Sequence, residues 1–219
     1  MHRGSHTAPE FRLSALLTID TQRDTLDGQP LEVPGTSAAL PNIGALADAF
    51  RAAGRPIAHV VRLYRGDGSN VDLCRRGAVE EGARMLQVDS EGAQLAADLL
   101  PDPEVRLDAG LLLSGGLQDL GEREFVVYKP RWGAFFQTPL EAHLRERGVT
   151  TVVFAGCNFP NCPRTSIYEA SERDFRIVVA RDAVSGIYDR GEAELGNIGV
   201  SIMPTAQIVA ELARQVAVS

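Results

Sequence analysis

The chain has 219 residues, which is enough for one substantial α/β domain and short for two. A formal charge of -7 argues against a nucleic-acid binder, because such proteins usually present a basic face. No apolar run approaches the roughly 18 residues of a membrane span. Three cysteines without an apolar export signal favour reduced thiols in the cytoplasm. We therefore expect one cytoplasmic domain over 1–219, with a small-molecule substrate and neither nucleic acid nor membrane as partner.

The opening segment, residues 1–11, is polar and predicts a flexible tail. Five runs of β-branched and aliphatic residues follow it along the chain, with little polar alternation. Such continuous hydrophobicity is typical of strands that are covered on both faces. The predicted strands are 13–20, 55–63, 124–129, 149–156 and 175–182.

Helical patterns alternate with these strands. In the first, Ile43, Leu46, Ala47 and Phe50 recur on one face, and a glycine ends the pattern. Strands that alternate with helices indicate βαβ units, so the sequence predicts an α/β fold with three α/β/α layers and a mostly parallel central sheet. The predicted helices are 41–54, 138–148, 163–174 and 205–217.

The segment 64–123 interrupts the alternation and is rich in Gly, Pro and Asp. We interpret it as a long insertion between the second and third predicted strands. We expect it to lie over one edge of the active face, the face of the domain that carries the active site.

Ligands in a doubly wound sheet bind beyond the carboxyl ends of the strands. Asp20 ends the first predicted strand, Lys129 ends the third, and the fourth leads through a short loop to Cys162. Taken singly, each residue has an ordinary structural explanation as a turn residue, a solvated charge or a small buried side chain. Together, an acid, an ammonium and a thiol are the set that cysteine hydrolysis requires.

The two cysteines near this loop differ in their surroundings. Cys157 follows the strand directly, which favours a packing role. Cys162 precedes Pro163, and proline favours the first helical position, so the thiol is expected at the positive end of a helix dipole. We therefore predict a lowered thiol pKa for Cys162, with nearby backbone N–H groups available to an oxyanion.

Three segments resemble the signature of the isochorismatase-like cysteine hydrolases. The family pattern has "D-x-Q" after the first strand, then "K-x-x-x-[SG]-A-F-x-x-T", and finally "G-x-x-x-x-x-C" opening a helix. The matching segments here are "DTQ" at 20–22, "KPRWGAFFQT" at 129–138 and "GCNFPNC" at 156–162.

The resemblance implies a Rossmann-like hydrolase with an Asp20–Lys129–Cys162 triad and a thioester acyl-enzyme. It also implies a cis peptide between Cys157 and Asn158, with the N–H groups of Asn158 and Cys162 as oxyanion hole. Such enzymes usually assemble as dimers or tetramers, so a homo-oligomer is expected.

Nicotinamide-hydrolysing relatives carry a "D-x-H…H" metal site after the second strand. This chain has only His59 there, inside a strand-like run, which favours a buried histidine. We expect neither a metal nor another cofactor. Relatives that hydrolyse isochorismate, a vinyl ether, lack the cysteine, so Cys162 favours C–N bonds in carboxamides, ureido or carbamoyl groups, or cyclic amides.

The candidate substrate pocket comprises Gln22, Trp132, Phe135 and Arg164. The two aromatic residues follow Lys129 closely and either wall the pocket or belong to the core. Arg164 either meets an anionic substrate group or is an ordinary exposed arginine.

Three other functions stay open. The fold could hydrolyse a vinyl ether, serve as a non-catalytic binding or assembly module, or act as a redox switch through a disulfide between Cys157 and Cys162.

Overall fold

The computed structural model describes residues 6–216. This part of the chain contains seven strands and seven α-helices, in the following order: β1 (Ser14–Ile19), α1 (Thr36–Ala52), β2 (Ile57–Val61), α2 (Leu73–Glu80), α3 (Ala109–Leu113), β3 (Leu117–Gly121), β4 (Glu124–Tyr128), α4 (Leu140–Glu146), β5 (Thr151–Gly156), α5 (Cys162–Ser171), β6 (Arg176–Val184), α6 (Asp189–Gly196), β7 (Ser201–Met203) and α7 (Thr205–Val216).

The strands form one sheet in the order β3-β4-β2-β1-β5-β6-β7. Every pairing is parallel except that of β3 with β4, which is antiparallel at the edge of the sheet. The predicted α/β fold with a mostly parallel sheet is therefore confirmed.

Two apolar clusters lie on the two faces of the sheet. One joins the helices α1 and α7 to the strand side chains Leu16 and Val153. The other joins α4, α5 and α6 to Leu17 and Phe154. Adjacent strand residues point to opposite faces, so both faces are apolar and both are covered, which gives the predicted three layers.

The five predicted strands correspond to β1, β2, β4, β5 and β6, with ends that differ by up to two residues. Helix α1 begins five residues earlier than predicted, at Thr36, because Gly35 caps it with a φ of +85°. Pro41 therefore lies inside the helix and not at its start. Strands β3 and β7 and helices α2, α3 and α6 were not predicted.

The segment 64–123 does more than lie over one edge of the active face. It contributes α2, α3 and the antiparallel edge strand β3 to the domain.

The segment predicted as a flexible tail, 1–11, is fixed to the domain at its end. Phe11 is buried in the cluster with α1 and α7, and Glu10 forms an ion pair with Arg176 at 3.1 Å. Residues 1–5 lie outside the described residues. Between residues 6 and 216, no helix has both the length and the apolar character needed to cross a bilayer.

The sheet order locates the expected ligand site. The chain passes from β1 to β2 on one side and returns to β5 on the other side of β1. The strand order thus reverses between β1 and β5, and the crevice beyond their carboxyl ends is where α/β proteins bind ligands.

Candidate active site

The structure brings the three predicted catalytic side chains together at this crevice. The Lys129 ammonium lies between the other two groups, 2.9 Å from Asp20 Oδ2 and 3.3 Å from Cys162 Sγ. All three side chains are buried, and Lys129 is completely so. A buried ammonium needs such partners, because burial of an unpaired charge is costly.

The backbone at Asp20 is held in an unusual conformation. Its φ of +49° lies in the left-handed region, which non-glycine residues seldom occupy. The carbonyl of Asp20 accepts hydrogen bonds from the Gln22 N–H, the Thr25 hydroxyl and the Cys157 thiol. These bonds fix the turn and thereby aim the carboxylate at Lys129.

Gly156 allows β5 to end directly beside β1. Its φ is +110°, and a Cβ at this position would lie 2.2 Å from the carbonyl oxygen of Ile19. Only glycine fits this close approach. The Asp20 turn and the loop to Cys162 can therefore start side by side.

Ser166 connects the loop after Lys129 to the helix that Cys162 opens. Its buried hydroxyl donates to the Cys162 carbonyl at 2.7 Å and accepts from the Ala134 N–H at 2.9 Å. One turn later, the Glu169 carboxylate accepts from the Phe135 N–H at 2.9 Å. These contacts hold Lys129 and Cys162 in register although they are far apart in sequence.

The pKa of the Cys162 thiol is opposite to the prediction. Burial and the negative charge of Asp20 raise it to about 12, although Lys129 and Arg62 act in the lowering direction. The predicted lowering considered only the helix start and omitted both effects. Cys162 therefore carries its proton at neutral pH, and a base must remove it before the sulfur can attack.

Cys157 has the packing role that was predicted for it. It is buried and donates its S–H to the Asp20 carbonyl at 3.1 Å. Burial raises the pKa of its thiol to about 12 as well, with a further contribution from Asp20. In the described part of the chain, all three cysteines are free thiols.

The implied cis peptide between Cys157 and Asn158 is absent, because every peptide bond over residues 6–216 is trans. A trans bond is about 3 kcal/mol more favourable for a residue other than proline. The flanking N–H groups of Cys157 and Phe159 donate to Ile19 and Ser185 with the bond in this form. The N–H groups of Asn158 and Cys162 donate to no described residue.

A second buried network, which the sequence did not indicate, adjoins the triad. Arg62 lies directly after β2 and is 1% exposed. It donates to Asp72 at 3.1 Å and to the carbonyl of Arg131, which also accepts from Lys129 at 3.3 Å. The hydroxyl of Tyr64 donates to the same Asp72 carboxylate at 2.6 Å.

Comparison with known proteins identifies the family. The model of the isochorismatase domain matches residues 14–200. The chain belongs to the isochorismatase family. An isochorismatase-family protein from Desulfovibrio vulgaris has a crystal structure that is 31% identical in sequence, with a TM-score of 0.75 over 92% of this chain and 99% of its own.

Two curated relatives show that members of the family differ in activity. A probable inactive nicotinamidase of Arabidopsis thaliana is 30% identical, over 88% of this chain and 93% of its own. Maleamate amidohydrolase of Pseudomonas putida is 33% identical, over 85% of this chain and 79% of its own. The isochorismatase family thus includes amidohydrolases as well as a relative that is named as probably inactive.

Two of the predicted pocket residues have structural roles in this member of the family. The Gln22 amide is fully buried, donates to the carbonyls of Arg62 and Ala93, and accepts from the Arg62 N–H. Phe135 is 4% exposed and packs in the core against Phe175, with ring centroids 5.8 Å apart. Neither side chain presents a surface to a substrate.

The other two pocket candidates differ from each other. Trp132 is partly buried on the loop after Lys129, and the Arg75 guanidinium lies over its ring at 5.5 Å. Arg164 forms an ion pair with Glu194 and donates to the Tyr188 hydroxyl at 2.5 Å. Because Arg164 is engaged by α6 and its surroundings, the structure does not support it as a receptor for a substrate anion.

His59 is a buried histidine, as predicted. Its Nδ1 is 2.8 Å from the Thr18 hydroxyl and its Nε2 is 2.8 Å from Glu124 Oε1. Across residues 6–216, no group of three or more His, Cys, Asp or Glu side chains is arranged to hold a metal ion.

Proposed function

We propose that this member of the isochorismatase family is a cysteine hydrolase that cleaves an amide-like C–N bond of a small molecule through a thioester. The bond belongs to a carboxamide, a ureido or carbamoyl group, or a cyclic amide. The single observation that carries the proposal is the position of Lys129, whose ammonium contacts both the Asp20 carboxylate and the Cys162 sulfur.

Asp20 acts as the general base in this proposal. Lys129 binds its Oδ2, whereas its Oδ1 is buried without a hydrogen-bond partner among the described residues. That free oxygen is the acceptor that we assign to the thiol proton. A high thiol pKa suits this assignment, because proton loss then accompanies attack and does not precede it.

The acylation step follows from these contacts. The Cys162 proton moves to Asp20, and the sulfur forms a bond to the carbonyl carbon. The carbonyl oxygen becomes an anion, to which the N–H groups of Asn158 and Cys162 donate hydrogen bonds. Cys162 is the first residue of α5, so its N–H has no acceptor within the helix. When the C–N bond breaks, the leaving nitrogen takes the proton from Asp20 and a thioester remains.

Water completes the cycle at the same groups. Asp20 takes a proton from a water molecule while the oxygen of that water attacks the thioester carbon. The C–S bond then breaks, the acid product leaves, and the proton returns to the Cys162 sulfur. The Lys129 side chain takes no part in these proton transfers and stabilises whichever of its two partners is negative.

The proposal is tested with a panel of small amides, ureides and lactams, by following the release of ammonia or amine and the intact mass of the protein. We expect turnover on at least one class, together with a mass increase that maps to Cys162. Cys162→Ala should lower kcat/KM by at least about 1000-fold. Cys74→Ala, which changes an exposed thiol, is the matched control and should retain activity.

Two outcomes would contradict the proposal. Turnover of a vinyl ether that survives Cys162→Ala would show that the thiol is not the nucleophile. If no panel member is turned over and none forms an adduct, the protein is a non-catalytic member of the family, like the Arabidopsis relative that is named as probably inactive.

A further inference from the structure

Charged side chains from the insertion lie close to the loop after β4, which begins at Lys129. Lys129 pairs with Asp20 at 2.9 Å, and Arg62 pairs with Asp72 at 3.1 Å. Each of these cations is thus balanced by one carboxylate. Arg75, in α2, adds one more positive charge to the same cluster, although the protein as a whole has a formal charge of -7.

Arg75 is only lightly engaged within the protein. Among the described residues, its one hydrogen bond is donated by Nη1 to the Tyr64 hydroxyl at 2.8 Å. Its distance to Asp72 is 3.9 Å, and that carboxylate already accepts closer bonds from Arg62 and Tyr64. About a quarter of the Arg75 side chain (24%) is exposed to solvent. The rest of its guanidinium fork remains available to an incoming acceptor.

Arg75 is joined to the triad through the loop after Lys129. The Arg131 carbonyl accepts from Lys129 and from Arg62, and the next residue, Trp132, lies under the Arg75 guanidinium. The negative charge of Asp20, and that of Cys162 when its thiol is ionised, also act on Arg75. Burial would lower the pKa of Arg75, but the combined effects of Tyr64 and these two groups raise it.

We infer that Arg75, whose guanidinium carbon lies 5.5 Å from the centroid of the Trp132 ring, binds a carboxylate at the far end of the substrate from the scissile amide. This inference rests on the proposed function and narrows it to small molecules that carry both an amide-like group and a carboxylate. A guanidinium presents two parallel N–H groups to a carboxylate, which gives direction as well as attraction. Arg62 Nε, which is buried without a hydrogen-bond partner in residues 6–216, is a second donor in this cluster.

The test uses matched pairs of substrates and matched variants. Monoamides of three- to five-carbon dicarboxylic acids are compared with their neutral methyl esters on the wild type, Arg75→Gln and Arg76→Gln. Arg76 is the next residue of the same exposed helix and is the control. We expect the wild type to prefer the acid, and Arg75→Gln to lower kcat/KM for the acid about 10- to 100-fold while changing the ester far less. Arg76→Gln should behave as the wild type.

Equal losses on acid and ester, or equal effects of the two variants, would overturn the inference and leave the hydrolase proposal intact. A calorimetric titration of the corresponding dicarboxylates into Cys162→Ala protein tests the site without turnover. Binding that weakens at least 10-fold in Cys162→Ala/Arg75→Gln supports the inference even if no amide is hydrolysed. No binding, or equal binding by the two proteins, contradicts it.

Discussion

Two buried networks of charged side chains lie at opposite ends of the sheet. At the carboxyl end, Asp20, Lys129 and Cys162 form the candidate triad. Near the amino end, Glu124 at the start of β4 joins His59 of β2 to Arg51 of α1. Both networks are covered by the protein, and in both a carboxylate is paired with a cation.

The two networks differ in how completely their polar atoms are paired. At the amino end, both oxygens of Glu124 accept hydrogen bonds, from His59 and from two nitrogens of Arg51, and the second ring nitrogen of His59 meets Thr18. At the carboxyl end, Asp20 Oδ1 is left without a described partner. A fully paired network stabilises the fold, whereas a buried acceptor without a partner is suited to receive a proton or a ligand.

The largest expected difference concerns the two cations. Lys129→Met removes the group that contacts both Asp20 and Cys162, so kcat/KM should fall about 100- to 1000-fold. Arg51→Met removes the cation of the other network and should leave kcat/KM of the folded protein within about threefold of wild type, because Arg51 contacts no triad residue. Steady-state rates on the substrate found in the panel give kcat/KM for both variants and for the wild type. Similar losses in the two variants would remove the distinction between the networks.

The buried carboxylate of Glu124, at the amino end of the sheet, should contribute more to the free energy of unfolding than an exposed carboxylate does. Glu124→Gln leaves Arg51 and His59 without their anion and should lower the free energy of unfolding by about 3 kcal/mol. Glu211, in an exposed pair with Arg214, is the matched control, and Glu211→Gln should change it by less than about 1 kcal/mol. Urea denaturation measures both values. A loss below 1 kcal/mol in Glu124→Gln would show that the paired network is not structural.

The lowered pKa of Glu124 predicts that the protein loses stability in acid. Burial alone would raise the pKa of Glu124, but hydrogen bonds from Arg51 and His59 outweigh it and hold the pKa at about 2, below its ordinary 4.5. The folded state therefore binds fewer protons than the unfolded state, and this stabilisation is present above pH 4.5 and lost as pH falls towards 2. The gap in unfolding free energy between wild type and Glu124→Gln should narrow by about 2 kcal/mol between pH 6 and pH 3. A gap that stays constant would contradict the assignment.

The sequence predicted those features that depend on local pattern and strand ends. The five long strands were recognisable because both faces of each are covered, so their residues are almost all apolar. Strand β7 has only three residues, and β3, with the sequence LQDLG, is an edge strand whose side chains are half-exposed or exposed. Neither carries the continuous apolar pattern that marked the others.

The candidate site was predictable in its membership but not in its electrostatics. Asp20, Lys129 and Cys162 each follow a recognisable strand, so their convergence could be inferred. Arg75 and Asp72 lie in the insertion, where no periodic pattern fixes the chain, and the contacts of Arg75 with Trp132 and of Asp72 with Arg62 arise only on folding. The thiol pKa was predicted with the wrong sign for a similar reason, because burial and the charge of Asp20 are properties of the assembled site.

The most direct test of the triad is the pH dependence of Cys162 alkylation by iodoacetamide in the wild type and in Asp20→Asn. Peptide mass spectrometry separates the three cysteines, and exposed Cys74 serves as the internal standard. We predict that Cys162 in the wild type titrates far above the ordinary 9.0, towards about 12, and that Asp20→Asn shifts its midpoint to lower pH while abolishing turnover. A wild-type midpoint at or below 9.0, or a midpoint that does not move in Asp20→Asn, would contradict the assignment of Asp20 as the base that controls this thiol.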